Sequence, residues 1–208
     1  MKKAKKIVAL LLCSVLLIGA SVTGTMAYLT AQTSVTNTFT VGSVKFDAKN
    51  ALDEAIVDEY GVVVTGEGEG RTTQGNKYKL IPGHTYTKDP TIHILAGSEE
   101  CYLFVKVQNG ISSIEAEGNT TIENQMIANG WTKLTVDGAI VDNVYCKAKP
   151  VETEADKNND VVIFGSFTIA TGADVSTYGD AKIVITDFAV QADGFDSAAD
   201  AWKGANFS

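Results

Sequence analysis

Three apolar runs constrain this chain more than anything else in it: residues 101–107 (CYLFVKV), 161–170 (VVIFGSFTIA) and 181–192 (AKIVITDFAVQA). All are rich in β-branched and aromatic residues and read as core strands. The first is almost continuously apolar, as expected of a central strand buried on both faces. Around them lie turn signals with a mechanism. Asp137-Gly138 separates an alternating segment, residues 131–136, from a return segment, residues 139–148, and is the strongest hairpin signal in the chain. Pro82-Gly83 is a turn pair in which proline presets φ and glycine supplies a positive φ. Residues 85–95 read as extended but contain Pro90, which points to an edge strand or a bulge.

Two short helices complete the pattern. Thr120 is a candidate N-cap, Glu123 completes a capping box, and Asn129-Gly130 closes the helix, with Ile122, Met126 and Ile127 near one face. Residues 197–203 form the second, with Ser197 as cap, Gly204 as stop, and Ala198, Ala201 and Trp202 placed to pack back onto the strands. Many strands, frequent turns and few helices predict an all-β fold, an antiparallel β-sandwich of jelly-roll type with one or two short helices.

The N-terminus reads differently. Residues 1–6 are basic, residues 7–20 are apolar, and Thr25-Met26-Ala27 puts small residues three and one before a cut between Ala27 and Tyr28. This is a secretory signal pattern, and its apolar run is short for a membrane span. The expected organisation is a leader at 1–27 and one domain at 28–208. Without the leader lysines Lys2, Lys3, Lys5 and Lys6, 13 of the 17 basic residues remain against 25 acidic ones, so the net charge moves from −8 to −12. Phosphate binding relies on lysine and arginine, so nucleic acid is not an expected partner, and membrane contact is expected only through the uncleaved leader.

Directly behind the leader, residues 27–46 (AYLTAQTSVTNTFTVGSVKF) have strong strand propensity. Removing the leader leaves an N-terminal arm, residues 28–40, tethered on one side. Val35, Thr38, Phe39 and Val41 are its candidates for pairing with an unpaired sheet edge, in its own domain or in a neighbour. Residues 47–75 are acidic and glycine-rich and read as a flexible insertion with a hairpin in it.

Cys101 and Cys146 remain after the leader, which permits one disulfide or two buried thiols. His84 and His93 are the only histidines and lack the His-Glu-x-x-His pattern of a zinc site; Glu99 or Glu100 would have to complete one. Residues 156–160 (DKNND) carry oxygen donors at alternate positions but lack the glycine and distal glutamate of a calcium loop. Tyr86, Trp131, Tyr145 and Tyr178 would form an aromatic platform for glycan or protein if exposed together. No catalytic residue, metal or cofactor is assigned.

Three stretches together carry a resemblance: the leader with residues 27–46, the block LIPGHTYTKDPTIHILAGSEECYLFVKV at 80–107, and the ending KIVITDFAVQADGF. This resembles the TasA/camelysin (CalY) family of Gram-positive bacteria, in particular members with a SipW-dependent signal peptide. The segment Asn37-Thr38-Phe39-Thr40-Val41-Gly42 is similar to that family's entry strand, and Pro82-Gly83 with Lys88-Asp89 to its next block. Residues 47–75 and 109–154 are not clearly matched. The resemblance implies a secreted jelly-roll protein, processed by a SipW-type signal peptidase and located at the cell surface or in the biofilm matrix. It implies a fibre subunit whose partner is another copy of itself, joined head to tail by N-terminal strand donation. A monomeric surface sandwich that binds glycan or protein is the alternative, and a camelysin-type metallopeptidase a third reading.

Overall fold

The fold is built around β5 (Cys101–Asn109), whose side chains alternate between two separate cores. Cys101, Leu103, Val105 and Val107 enter one; Tyr102 and Phe104 enter the other. Alternation is the geometry of an extended chain, so a strand apolar at every position must be covered on both faces. The computed structural model describes residues 44–46, 51–64, 70–152 and 157–207. Two compact units divide the chain, residues 39–203 and residues 1–38 with 204–208, and nearly all described residues belong to the first. The candidate cleavage site at Ala27 and Tyr28, and the arm residues Val35, Thr38, Phe39 and Val41, lie outside the described residues.

The chain is mostly β and its sheets are antiparallel. The other strands are β1 (Leu52–Ala55), β2 (Arg71–Thr72), β3 (Thr85–Thr87), β4 (Thr91–Ile94), β6 (Trp131–Val136), β7 (Ala139–Lys147), β8 (Asn159–Val162), β9 (Ser166–Thr168) and β10 (Ile183–Gln191). One sheet has the order β10-β5-β7-β6, a second β2-β1-β4-β8, and β3 pairs with β9. The larger core lies between them, joining Ile92 and Ile94 of β4 and Val161 of β8 to Leu103 and Val105 of β5. Trp131, Tyr86, Phe164 and Phe167 are fully buried in it.

The local signals place several elements as expected. Asp137 and Gly138 have φ of 51° and 82°, the left-handed pair that a tight hairpin between β6 and β7 requires. Gly83, at φ 78°, sits in a turn closed by His84 N–H on the Ile81 carbonyl at 3.1 Å. The helices are α1 (Ile122–Ala128) and α2 (Ala198–Ala205). Ser197 caps α2 by accepting the Asp200 N–H at 3.2 Å. Ala198, Ala201 and Trp202 cover the second core, with Trp202 at 5.1 Å from Phe104 and 5.5 Å from Phe188 between ring centroids.

Other elements differ from expectation, each for a physical reason. Thr121, not Thr120, caps α1 by accepting the Asn124 N–H, while Glu123 pairs with Lys133 on β6 instead of closing a capping box. Ile122 and Met126 are buried, but Ile127 is 51% exposed, because a seven-residue helix offers one narrow face. Gly204 lies inside α2, and Asn206 takes the left-handed conformation beyond it. Pro90 marks neither an edge nor a bulge: it is the corner at which the chain leaves β3 and enters β4, a central strand. Residues 161–170 bend in the same way, so one apolar run becomes β8 and β9. At that bend the Gln125 side chain accepts Gly165 and Ser166 N–H, both at 3.2 Å, and donates to the Ser166 carbonyl at 2.8 Å. Such a partner keeps the ladder's interrupted backbone groups satisfied.

The largest departure is at residues 47–75. Their first half is no insertion: β1 is an inner strand of the second sheet, between β2 and β4. Residues 47–50 and 65–69, which include the glycine-rich tip, lie outside the described residues. Cys101 and Cys146 are free, buried thiols. Cys146 stands opposite Phe104 in the β5–β7 register and faces the second core, whereas Cys101 faces the first, so the sheet itself separates them and the disulfide alternative is excluded in this fold.

Candidate functional site

β1 reads LDEA, and its two carboxylates carry the polar centre of the site. Asp53 and Glu54 are 5% and 4% exposed. Alternation sends them to opposite faces of the sheet, where each needs a cationic or hydrogen-bonding partner to offset its desolvation. Asp53 accepts Arg71 Nε from β2 and lies 2.8 Å from His93 Nε2 on β4. Arg71 continues to Asp89, with Nη1 to Oδ2 at 2.8 Å and Nη2 to its carbonyl at 2.9 Å. His93 Nδ1 reaches Asp160 of β8 at 2.7 Å. One charged network therefore ties together all four strands of the sheet.

Both ring nitrogens of His93 face carboxylate oxygens. A neutral imidazole can donate to only one of them, so the protonated ring fits better. Desolvation pulls the His93 pKa down, but hydrogen bonds to Asp53 and Asp160 outweigh it and the net shift is upward. On the other face, Glu54 accepts the buried Lys88 Nζ through one oxygen, and the Asn76 side-chain N–H at 2.8 Å through the other.

Asp53, Glu54, Asn76 and Lys88 line a groove of about 920 Å³. Residues 72–80, Leu52 of β1 and residues 178–185, which include the start of β10, line it too. Its walls carry Leu52, Tyr78, Leu80, Val175, Ile183 and Ile185, all partly buried apolar side chains that continue the larger core outward. β10 is nine residues long, and among the described residues it pairs with β5 alone. The groove thus adjoins the margin of a long strand that has a partner on one side.

The chain reaches this region anchored. Phe46 forms an antiparallel bridge with Ile94, and Leu95 N–H donates to the Lys45 carbonyl at 2.8 Å. Val44 and Phe46 pack on the larger core. Residues 44–46 therefore belong to the chain's own fold.

The histidines do not converge on a shared centre: His84 Nε2 bonds to the Tyr60 carbonyl at 2.9 Å and its ring lies against Tyr86, while His93 is held by Asp53 and Asp160. Glu99 and Glu100 line a separate, smaller depression beside Tyr102 and Phe195. Among the described residues no group of three His, Cys, Asp or Glu could hold a metal ion. In the 156–160 segment, Asn158 accepts the Ala96 N–H at 2.9 Å and Asp160 serves His93, so these donors are engaged in the fold. The aromatic platform does not form: Tyr86, Trp131 and Tyr145 are buried, and Tyr178, partly buried, binds Ser113 Oγ through its hydroxyl at 2.6 Å. Among the described residues, no helix is long and apolar enough to cross a membrane.

Sequence reasoning missed Asp53, Glu54, Arg71 and Asn76. A signal did exist: an Asp-Glu pair between Leu52 and Ala55, flanked by further apolar residues, is a strand pattern carrying charge. No protein-family model, curated protein or solved structure matches the chain.

Proposed function

We propose that this chain is an exported structural protein, a subunit of a surface or matrix fibre that assembles with copies of itself by strand donation. In this reading the two four-stranded sheets make a jelly-roll sandwich, and a SipW-type peptidase frees the arm at Tyr28. The arm of one copy, with Val35, Thr38, Phe39 and Val41, then lies along β10 of the next. In this reading the chain itself is not an enzyme.

The observation that carries the proposal is β10: nine residues, paired on one side among the described residues, with Ile183, Val184 and Ile185 at its start lining a groove that has apolar walls. A strand added there gains main-chain hydrogen bonds and covers apolar walls, the two terms that drive β-augmentation. Phe46 supports it by rooting the chain in its own core, which leaves the residues upstream of Val44 as the available donor. An arm that leaves one copy and enters the next is a heterologous contact, and such contacts propagate into filaments when they do not close.

Protein beginning at Tyr28 is expected to gain scattering with time and to show filaments by electron microscopy. Protein lacking residues 28–40 is expected to keep its β-sheet circular dichroism and remain monomeric on size exclusion. Phe39→Asp should shift assembly in the same direction as the truncation: the lost burial of one phenylalanine, about 1.5–3 kcal/mol, corresponds to roughly a 10- to 150-fold weaker association. If the full and truncated forms assemble equally, or neither does, the proposal fails.

A further inference from the structure

Lys88, Glu54 and Asn76 hold a geometry that an ordinary ion pair does not need. Lys88 and Glu54 are both buried, and Nζ contacts Oε2. The other carboxylate oxygen accepts Asn76 Nδ2 at 2.8 Å and the Asn76 backbone N–H at 2.9 Å. One carboxylate thus touches an amine and a carboxamide at once, with Lys88 and Glu54 buried and Asn76 partly buried at the groove. The orientation of the carboxamide is fixed by its surroundings. Nδ2 also donates to the Ala55 carbonyl at 2.8 Å, and Oδ1 accepts the Val57 N–H at 3.0 Å. That N–H is aimed at the oxygen on which charge would gather if Cγ were attacked.

Tyr78, partly buried against the larger core, lines the same groove. Its hydroxyl donates to the Thr87 carbonyl at 3.1 Å, and its ring meets Tyr86 and Phe167 edge-on at 5.6 and 5.1 Å. Burial pushes the Tyr78 phenol pKa upward.

We propose that Lys88 and Asn76 join in an intramolecular isopeptide bond, with Glu54 as the catalytic proton carrier. Glu54 takes a proton from the Lys88 ammonium. The freed amine attacks Asn76 Cγ, a C–N bond forms, and the carbonyl π pair moves onto Oδ1, where the Val57 N–H meets it. Glu54 passes its proton to Nδ2 and receives one from Nζ. The C–Nδ2 bond then breaks as the electron pair on Oδ1 reforms the carbonyl, ammonia leaves, and Glu54 hands it the second proton, so the nitrogen departs as ammonium. Every proton is accounted for, Glu54 ends as it began, and nothing is oxidised or reduced. The product ties the 72–80 wall of the groove to the link between β3 and β4, across β1.

The test is the mass of the folded, leader-free protein measured after denaturation and reduction. The expected mass is one ammonia below that of the sequence. A tryptic digest should contain residues 72–77 joined to residues 80–106, with no cleavage after Lys88. Lys88→Met, Asn76→Ala and Glu54→Gln should each return the full sequence mass. The wild-type peptide map stands alone even where a variant fails to fold. Full sequence mass in folded wild-type protein after prolonged incubation would overturn the proposal. Loss of one water instead would also overturn it, since that assigns the amide to Lys88 and Glu54. Neither readout depends on whether the protein assembles.

Discussion

Raising the pH through the titration of His93 should weaken the second sheet, because His93 links Asp53 of β1 to Asp160 of β8. The folded-state pKa lies above the unfolded value of about 6.5. The stabilisation is therefore complete below about pH 6.5 and is lost as the pH rises through the folded pKa. The deprotonated ring keeps one N–H. Asp53 is nearly fully buried and has the stronger claim on it, so the Asp160 bond is the one lost. A charge-assisted hydrogen bond contributes about 1.5–3 kcal/mol. The Asp160 side chain is 63% exposed, and water screens and replaces much of that, leaving about 1 kcal/mol. For a domain of this size that is a fall in Tm of about 2–4 °C. Thermal unfolding followed by circular dichroism between pH 6 and 9 would read it. His93→Gln cannot titrate and should lose the pH-dependent part while starting lower at pH 6. If the wild type and His93→Gln follow parallel profiles, or the wild type gains stability across this range relative to the variant, the reasoning is wrong.

Other perturbations separate the remaining claims. Trp131→Ala removes the largest fully buried side chain, whose indole N–H donates to the Val162 carbonyl, and should cost about 3–5 kcal/mol in denaturant unfolding. Ser197→Ala should cost about 1 kcal/mol by uncapping α2, with the loss seen mainly as weaker amide-exchange protection in that helix. Cys101 and Cys146 should resist thiol reagents in the native state and react fully in denaturant. Burial removes access, and it pushes the Cys101 thiol up to about 12, so little thiolate forms at neutral pH. Rapid labelling of both thiols in the native state would contradict their burial in two cores.

The composition of residues 47–60 shows why part of the site was illegible. Asp53, Glu54, Asp58 and Glu59 make the segment read as a solvated loop, because carboxylates are seldom buried without partners. The partners of Asp53 and Glu54 are 18 to 40 residues away along the chain: Arg71, Asn76, Lys88 and His93, and Asp160 is 67 beyond His93. No window of sequence contains them together. Lys88 and His93 were visible as residues, but not that one faces Glu54 and the other Asp53.

What the amino-acid order determines unaided is the short-range geometry. The left-handed pair at Asp137-Gly138, the turn at Pro82-Gly83, the cap at Ser197 and the doubly apolar run at 101–107 all follow from sterics and spacing over a few residues. Folding in three dimensions decides the rest. It bends residues 161–170 into two strands, puts the two cysteines on opposite faces of one sheet, and brings Lys88 and Asn76 onto the same carboxylate, Glu54. The physical reason is that burial and pairing energies depend on which distant surfaces meet, and only the packed sheets bring those surfaces together.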